Sequence, residues 1–425
     1  MSPWTIWLET LARGLAEIAM PGLLGQASLE KYLLAGVGHI HSKLTAIMRP
    51  KDLSKALARG LAMPSALMRA RLRDLVRGLA EVKEPAHQQA LANYLCHVMS
   101  QARHRAATMR SPDGRVAPAA WNLNDPADLL DLLPLRRVIH QSGQELGGYR
   151  LKRFRYGSAT AEAWKALSTE ADGQPVSLYI VRQKTALEAF RASGERLKRL
   201  SKIDHPGIQK LITSHAEEKQ AFLAWTYKRS VPLPAVKERW EDTGGHINAK
   251  RVGRWIRRMT RALMVLHGQR EPFAHGGLMP ANVALARQGK GWKVHLSDVG
   301  WADREAEQQI RVRGLASIKV SRQMYERRGS WAPHYGSPTR LEGKEPTPAD
   351  DVFALGMIWY QMVMGCWDLA PPRSFDWVDK ALDRGLPVDH GKVMSRCLQP
   401  DASRRPADAG ALMALLDALV LSGGK

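Results

Sequence analysis

The hydrophobic periodicity of this chain changes character twice along its length, and that order restricts the folds open to it. Residues 1 to about 107 carry apolar side chains at helical spacing, as in Trp4, Trp7, Leu8 and Leu11 and again in Met68, Leu72, Leu75 and Leu79. Pro21, Pro50, Pro64 and Pro85 fall where these helices would begin or end. Turn formers cluster at Ser111–Gly114 and between Pro118 and Pro126, and a short helix over 126–139 is expected to lead to Gly147-Gly148-Tyr149. From there the period becomes that of strands, with Val176, Leu178 and Ile180 alternating and Ala221–Trp225 reading as another strand. After about 247 the pattern is helical again. A sheet-rich lobe followed by a helical lobe is an α+β arrangement with a cleft between the lobes. The expected divisions are an all-helical domain over 1–110, a linker with a short helix over 111–145, and the two-lobed domain over 146–425.

Composition narrows the setting. Hydrophobic residues at 44% and charged residues at 24% exclude a disordered chain. Cys96, Cys366 and Cys397 are far apart and form no CxxC, so neither a disulfide framework nor a zinc site is expected. Glu9 and Glu17 interrupt the apolar residues of the N-terminus, which lacks the layout of a secretory signal. The longest apolar stretch, Val352 to Cys366, contains Gln361 and is too short to span a bilayer. The expectation is a cytoplasmic protein without a membrane span. His39 and His41, two residues apart, point to different sides of a helix and lack a nearby acidic or thiol partner, which argues against a metal site. The net charge of +22 reads first as a solvated basic surface and, as the alternative, as a sign of an anionic partner such as nucleic acid, acidic lipid or an acidic protein face. That charge is spread along the chain, with no block of Lys or Arg forming a tail.

Six segments with recognisable motifs follow one another between Arg251 and Pro406. Arg251–His267 carries Val252, Trp255, Ile256, Met259, Leu263 and Leu266 on one helical face. Ala274-His-Gly-Gly-Leu-Met-Pro-Ala-Asn-Val283 and Ser297-Asp-Val-Gly300 come next, and they resemble the catalytic loop and D-F-G segment of bacterial serine/threonine protein kinases of the eukaryotic type. Tyr335-Gly-Ser-Pro-Thr339 stands where the family has A-P-E. Asp350-Asp-Val-Phe-Ala-Leu-Gly356 resembles the opening of the family's central buried helix, and Arg396–Pro406 the closing C-L-x-x-D-P-x-x-R-P segment. The resemblance implies a small β-rich lobe, a larger helical lobe, and an ATP–magnesium site between them.

It also implies which catalytic parts are missing, since phosphoryl transfer depends on positioning and charge neutralisation. Gly277 takes the place of the catalytic Asp, and Met279 that of the loop Lys. Tyr179 ends the strand tetrad Val176-Ser-Leu-Tyr179 where the phosphate-holding Lys belongs, and Arg182, three residues on, faces the other side of the pleat. Arg196 occupies the position of the helix Glu that pairs with that Lys, with Glu195 one residue out of register. Tyr156, Ser158 and Ala161 stand at the three glycine positions of the phosphate loop, where side chains obstruct the backbone's approach to phosphate; Gly157 is displaced by one. Asn282 and Asp298, the magnesium-holding pair of the family, remain. His275, Asp351 and Arg405 remain as structural residues, although Thr339 replaces the Glu that normally pairs with Arg405. Trp225 stands where the family guards its adenine pocket and is large enough to fill it.

The expected function is therefore that of a catalytically inactive, kinase-like scaffold or regulator that binds a protein partner and needs no cofactor. Two alternatives stay open. One is a weak or unconventional enzyme that binds ATP and magnesium through Asn282 and Asp298. The other is a basic module associated with nucleic acid. The stretch from Asp303 to Pro333 carries Arg304, Arg311, Arg313, Lys319, Arg322, Arg327 and Arg328 against Asp303, Glu305, Glu307 and Glu326, and reads either as a solvated loop or as a docking surface for an acidic partner.

Overall fold

A computed structural model describes residues 49–61 and 65–77, isolated residues between 42 and 102, and then residues 139–299 and 335–422 apart from short gaps. The expected helix over 126–138, His39, His41, Ser158, Arg182 and the segment 303–333 lie outside the described residues, and for Tyr156 only the backbone is described. In the N-terminal region two helices are described, α1 (Pro50–Leu61) and α2 (Ser65–Arg77). Each starts where the sequence places a proline boundary. Leu53, Leu57 and Leu61 of α1 are buried, as are Met68 and Leu72 of α2, the faces set by helical spacing.

The chain divides into two compact units. Among the described residues the first holds β1 (Glu145–Leu146), β2 (Tyr149–Gly157), β3 (Ala161–Ser168), β4 (Pro175–Val181) and β6 (Phe222–Thr226). These strands lie in the order β1-β2-β3-β4-β6, and β5 (Leu211–His215) edges the sheet. The strand expected at Ala221–Trp225 is observed one residue later. Along β4 the pleat alternates as expected: Val176, Leu178 and Ile180 are buried, while Ser177 and Tyr179 point to the other face. Two register irregularities interrupt the β2–β3 pairing, between Leu151 and Arg153 and between Phe154 and Tyr156. One buried carboxylate ties the sheet to the residues just ahead of β1. Glu162 on β3 accepts hydrogen bonds from the Ile139 amide (2.5 Å), from Trp164 Nε1 (3.0 Å), and at 2.9 Å from His140 Nδ1.

Helix α3 (Lys184–Ala192), in which the division falls, precedes α4 (Gly194–Ser201) in the second unit. There follow β7 (Val231–Pro232), α5 (Ala249–His267), a 3-10 turn at Pro280–Asn282, and the hairpin β8 (Val283–Gln288) to β9 (Gly291–Leu296). Gly289, at φ +54, supplies the left-handed residue that a two-residue hairpin turn requires. Helices α6 (Pro338–Leu341), α7 (Pro348–Met364), α8 (Trp377–Asp383), α9 (Val388–Cys397) and α10 (Ala409–Ser422) complete the unit.

The sequence explains the packing. Asn248 caps α5 through a 2.8 Å bond from the Lys250 amide, and all six apolar residues of its expected face are buried. Helix α7 is apolar on every side, so it must be enclosed, and residues 350–363 are all buried. A capping box between Thr347 and Asp350 starts it, and Gly365 at φ +65 ends it. Gln361, the polar residue within the apolar run, is satisfied at both ends: Tyr335 Oη donates to its Oε1 at 2.5 Å, and its Nε2 donates to the Leu369 carbonyl at 2.7 Å. Helix α5 packs against both α7 and α10. Among the described residues no helix is long and apolar enough to cross a membrane.

Candidate functional site

The loop between α5 and β8 is organised by a single carboxylate. Asp351, buried in the first turn of α7, accepts the backbone N–H groups of His275 (2.6 Å) and Gly276 (3.0 Å). It also meets His267 Nε2 at 3.0 Å. His267 Nδ1 accepts the Ala409 amide at 3.0 Å, so the ring proton sits on Nε2 and is donated to Asp351. Three elements, α5, α7 and α10, thereby converge on the start of the loop. His275 is wholly buried, and burial pushes its imidazole towards the neutral form, with Asp351 opposing the shift.

Further along the loop, Asn282 Nδ2 donates to the Gly277 carbonyl at 2.8 Å, which closes the turn over Leu278–Ala281. Gly277 is buried and contributes only backbone, while Met279 is half-buried at the entry to the 3-10 turn. The Ser297 amide bonds to the Asn282 carbonyl at 2.9 Å, tying the end of β9 to the loop. Asp298 follows with φ +57, the single non-glycine residue at positive φ among the described residues. Burial pushes its carboxyl above the ordinary value, and the Ser297 hydroxyl, 3.2 Å from Oδ2, pulls it back only in part. The structure thus brings together Gly277, Met279, Asn282 and Asp298 within the second unit, on scaffolding set by His275 and Asp351.

Arg196 has a partner of its own. From α4 its Nη2 donates to the Ala274 carbonyl at 2.9 Å, and its guanidinium lies 4.4 Å from the centre of the Phe273 ring. Arg199 reinforces the contact through both the carboxylate and the carbonyl of Glu271, each at 2.6 Å. Glu195 is exposed, and its ion pair among the described residues is with Lys198, at 4.0 Å. The sequence reading placed Arg196 at the position of the family's helix Glu and did not anticipate this contact. The aromatic Phe273 just ahead of the loop was the available signal.

Arg405, whose usual Glu partner is replaced by Thr339, has one hydrogen bond and one ion contact, while its Nε and Nη2 make no hydrogen bond among the described residues. The buried guanidinium lies 3.6 Å from Asp350 Oδ1, donates to the Ala349 carbonyl at 3.2 Å, and sits over the Phe353 ring. Thr339 belongs to the same network, since its hydroxyl and that of Ser337 donate to Asp350 Oδ1 at 2.8 and 2.5 Å. Burial raises the Asp350 carboxyl, but hydrogen bonds from Ser337, Thr347 and Thr339 outweigh it and hold the group below its ordinary value. The nearest carboxylate to the guanidinium is thus Asp350, at ion-contact distance rather than in a hydrogen bond.

In the first unit, Tyr179 pairs across the sheet with Ala163 and Leu223, and Trp225 is buried opposite Ser177 on the same face. Ala161, at the last of the three glycine positions, is buried opposite Val181. Lys165, also on that face and opposite Ser177, was not singled out from the sequence. Its ammonium lies 4.9 Å from the centre of the Tyr227 ring.

Comparison with known proteins agrees with this architecture. The family model described as "Protein kinase domain" matches residues 165–413. Serine/threonine-protein kinase PknA of Mycobacterium tuberculosis is 22% identical over 229 residues, covering 52% of this chain and 47% of PknA. An Aurora kinase of Schizosaccharomyces pombe is 24% identical over 216 residues, covering 48% of this chain and 53% of that protein. The chain thus spans about half the length of these relatives. Among solved structures, a double-mutant form of the Mycobacterium tuberculosis PknI kinase domain superposes with a TM-score of 0.51 at 18% identity. That match covers 68% of this chain and all of the PknI domain, a likeness of fold. A family model that covers more than half of the chain, over the same elements that build the loop around Asp351, places this protein in the protein kinase domain family.

Proposed function

We propose that the kinase domain of this chain works without phosphoryl transfer, as a scaffold or regulator that binds a protein partner. The observation that carries the reading is Gly277. At the position where a carboxylate would orient the substrate hydroxyl, the chain offers a backbone carbonyl already engaged by Asn282. The other departures run the same way. Met279 brings no cation to the reacting centre, and Arg196 is committed to Ala274 and Phe273 rather than to an ion pair with a strand Lys. Each such group contributes several kcal/mol to a transition state, so their joint loss leaves little acceleration.

The residues do not fit a nucleotide–magnesium site of the family type. Asn282 and Asp298 offer oxygen donors, yet Tyr179 supplies no charge to hold phosphates, and in the sequence Tyr156, Ser158 and Ala161 stand in place of the glycines that let the loop backbone approach a phosphate. Among the described residues no cluster of three His, Cys, Asp or Glu could hold a metal ion. We extend the reading to a cytoplasmic protein with a separate helical domain up to about residue 110, a linker to 145, and a protein partner whose face is acidic, given the net charge of +22. A nucleic-acid partner is the reading that charge alone would also support.

The test is label transfer. The protein, given γ-labelled ATP with magnesium or manganese and generic protein substrates, should incorporate no more label than Asp298→Ala. Incorporation abolished by that substitution overturns the proposal. Co-purification with mass spectrometry then identifies the partner. A second reading, weak catalysis, has one observation in its favour: Lys165 places a cation on the Tyr179 face of the sheet. If that reading holds, Lys165→Ala and Asp298→Ala abolish the same activity.

A further inference from the structure

Outside the catalytic-loop residues, the second unit contains a cavity of about 260 Å³. Its walls are the His205-Pro206-Gly207 turn, Arg258 and Arg261 one helical turn apart on α5, and the first four residues of β9, which include Trp292 and Lys293. No acidic residue lines it. Among the described residues Arg258, Arg261 and Lys293 form no hydrogen bond or ion pair. This is not the habit of the helix, because the adjacent Arg257 is engaged by Asp417 and the Leu416 carbonyl of α10.

Behind this wall lie more basic groups. Lys228 Nζ approaches His295 Nδ1 at 3.3 Å and the Pro206 carbonyl at 3.4 Å. Burial, followed by the neighbouring Lys293 charge, holds Lys228 below its ordinary value. Burial together with Lys228 and Lys293 lowers His205 and brings His295 to about 4. The nearby carboxylate is Asp204, and it is bound to Lys210 at 2.7 Å. Like charges gathered around a concave surface with no counter-ion repel one another, and an anion relieves that repulsion. Guanidinium groups match phosphate oxygens in pairs, and a flanking ammonium adds a point charge.

We propose that this cavity binds a phosphate group, held by Arg258, Arg261 and Lys293, with Trp292 as the wall beside whatever carries the phosphate. The phosphate belongs to a small molecule or to a phosphorylated side chain, and the volume accommodates either. The site is independent of whether the kinase domain transfers phosphate.

The experiment uses the full chain at fixed ionic strength, titrated calorimetrically with inorganic pyrophosphate and, separately, with a phosphothreonine peptide and its unphosphorylated form. The wild type is expected to bind at least one phosphate probe saturably at a single site, with a dissociation constant below about 1 mM. Arg258→Ala combined with Arg261→Ala, and Lys293→Ala alone, should each weaken binding at least tenfold. Both arginines are exposed, so an unchanged melting temperature without ligand confirms that these variants fold. Arg254→Ala, exposed on the same helix but not part of the cavity wall, should bind as the wild type does. Tighter binding of pyrophosphate assigns the site to a small molecule; tighter binding of the phosphopeptide, with the unphosphorylated form inert, assigns it to a modified side chain. No saturable binding of either probe, equal binding by the arginine double variant, or an equal loss in Arg254→Ala overturns the proposal.

Discussion

Removing the Asp351 carboxylate tests whether the kinase-like loop is held as a structural unit. Asp351→Ala withdraws the acceptor for three donors: the amides of His275 and Gly276 and Nε2–H of His267. A buried donor left unsatisfied costs about 1–3 kcal/mol. Three of them sharing one acceptor are not additive, and breaking a buried hydrogen-bonded charge typically costs about 3–5 kcal/mol. Taking about 4 kcal/mol, with 2–4 °C lost per kcal/mol in a domain of this size, the melting temperature should fall by about 8–16 °C. Asp351→Asn should recover part of that loss. With its oxygen at the Oδ2 position it still accepts from the His275 amide and His267 Nε2, while its NH₂ faces the Gly276 amide and leaves that donor unsatisfied. Thermal melts of the full chain measure the stability, and hydrogen exchange at His275 and Gly276 locates the effect. A fall of less than about 2 °C for Asp351→Ala, with exchange unchanged, would refute the claim that this carboxylate anchors the loop.

Three further outcomes follow from charge and space. Asp298 is raised by burial, so the stability it contributes falls as pH rises from its unfolded value of about 3.9 through its folded value; Asp298→Asn, a residue tolerated at positive φ, should raise the melting temperature at pH 7.5 and progressively less towards pH 4, whereas a lowered melting temperature at pH 7.5 contradicts this. Glu162 behaves oppositely: burial raises it, but bonds from His140, Ile139 and Trp164 hold it below its ordinary value. Its stability is present above the unfolded value of about 4.3 and lost as pH falls through the folded one, so Glu162→Gln should lose about 2–3 kcal/mol at pH 7, a gap that narrows below about pH 4 in pH-dependent denaturant melts. A Cβ on Gly356 would lie 2.7 Å from Cys397 Cβ and 3.3 Å from Leu398 Cδ2, so Gly356→Ala should cost about 1–3 kcal/mol by pushing α7 from α9, read as a lowered urea midpoint.

How much of this could be seen in advance depended on the range of the interaction. Periodicity located α5, and all six apolar residues of its expected face are buried, because helical burial is written locally every three to four residues. The alternation Val176, Leu178, Ile180 located β4 for the same reason. The buried helix α7 and the loop at 274–283 were found by order and spacing of short motifs. What escaped were contacts between residues distant in sequence. Arg196 reaches Ala274 across 78 positions, and Arg405 meets Asp350 rather than any residue at the Thr339 position. Spacing gives the position of a missing partner but not what the remaining group does instead, because a buried guanidinium takes whichever acceptor the packing leaves within reach. Lys165 escaped for a related reason. Its place on the Tyr179 face follows from strand register, which alternation within one strand does not supply.

The residues that persist and those that are replaced differ in what they touch. Asp351 holds two loop amides and a histidine, Asn282 closes the turn through the Gly277 carbonyl, and Arg405 binds the start of α7. Each of these contacts is made to backbone or to a buried side chain, so its loss would leave polar groups unsatisfied in the core and would be felt as instability. On the proposed reading, Gly277 and Met279 stand where side chains would point at a substrate. The hydrogen bond that closes the loop uses only the backbone of Gly277. On that reading stability depends on the first set and is indifferent to the second, so the kinase fold does not require catalytic side chains. Asp298 does not fall cleanly into either set. Its carboxyl carries a burial penalty and one hydroxyl contact, which is a poor bargain for a purely structural residue. On the scaffolding reading, magnesium or manganese should move the melting temperatures of the wild type and of Asp298→Asn alike; a rise confined to the wild type would give Asp298 a binding role and favour the weak-catalysis reading instead.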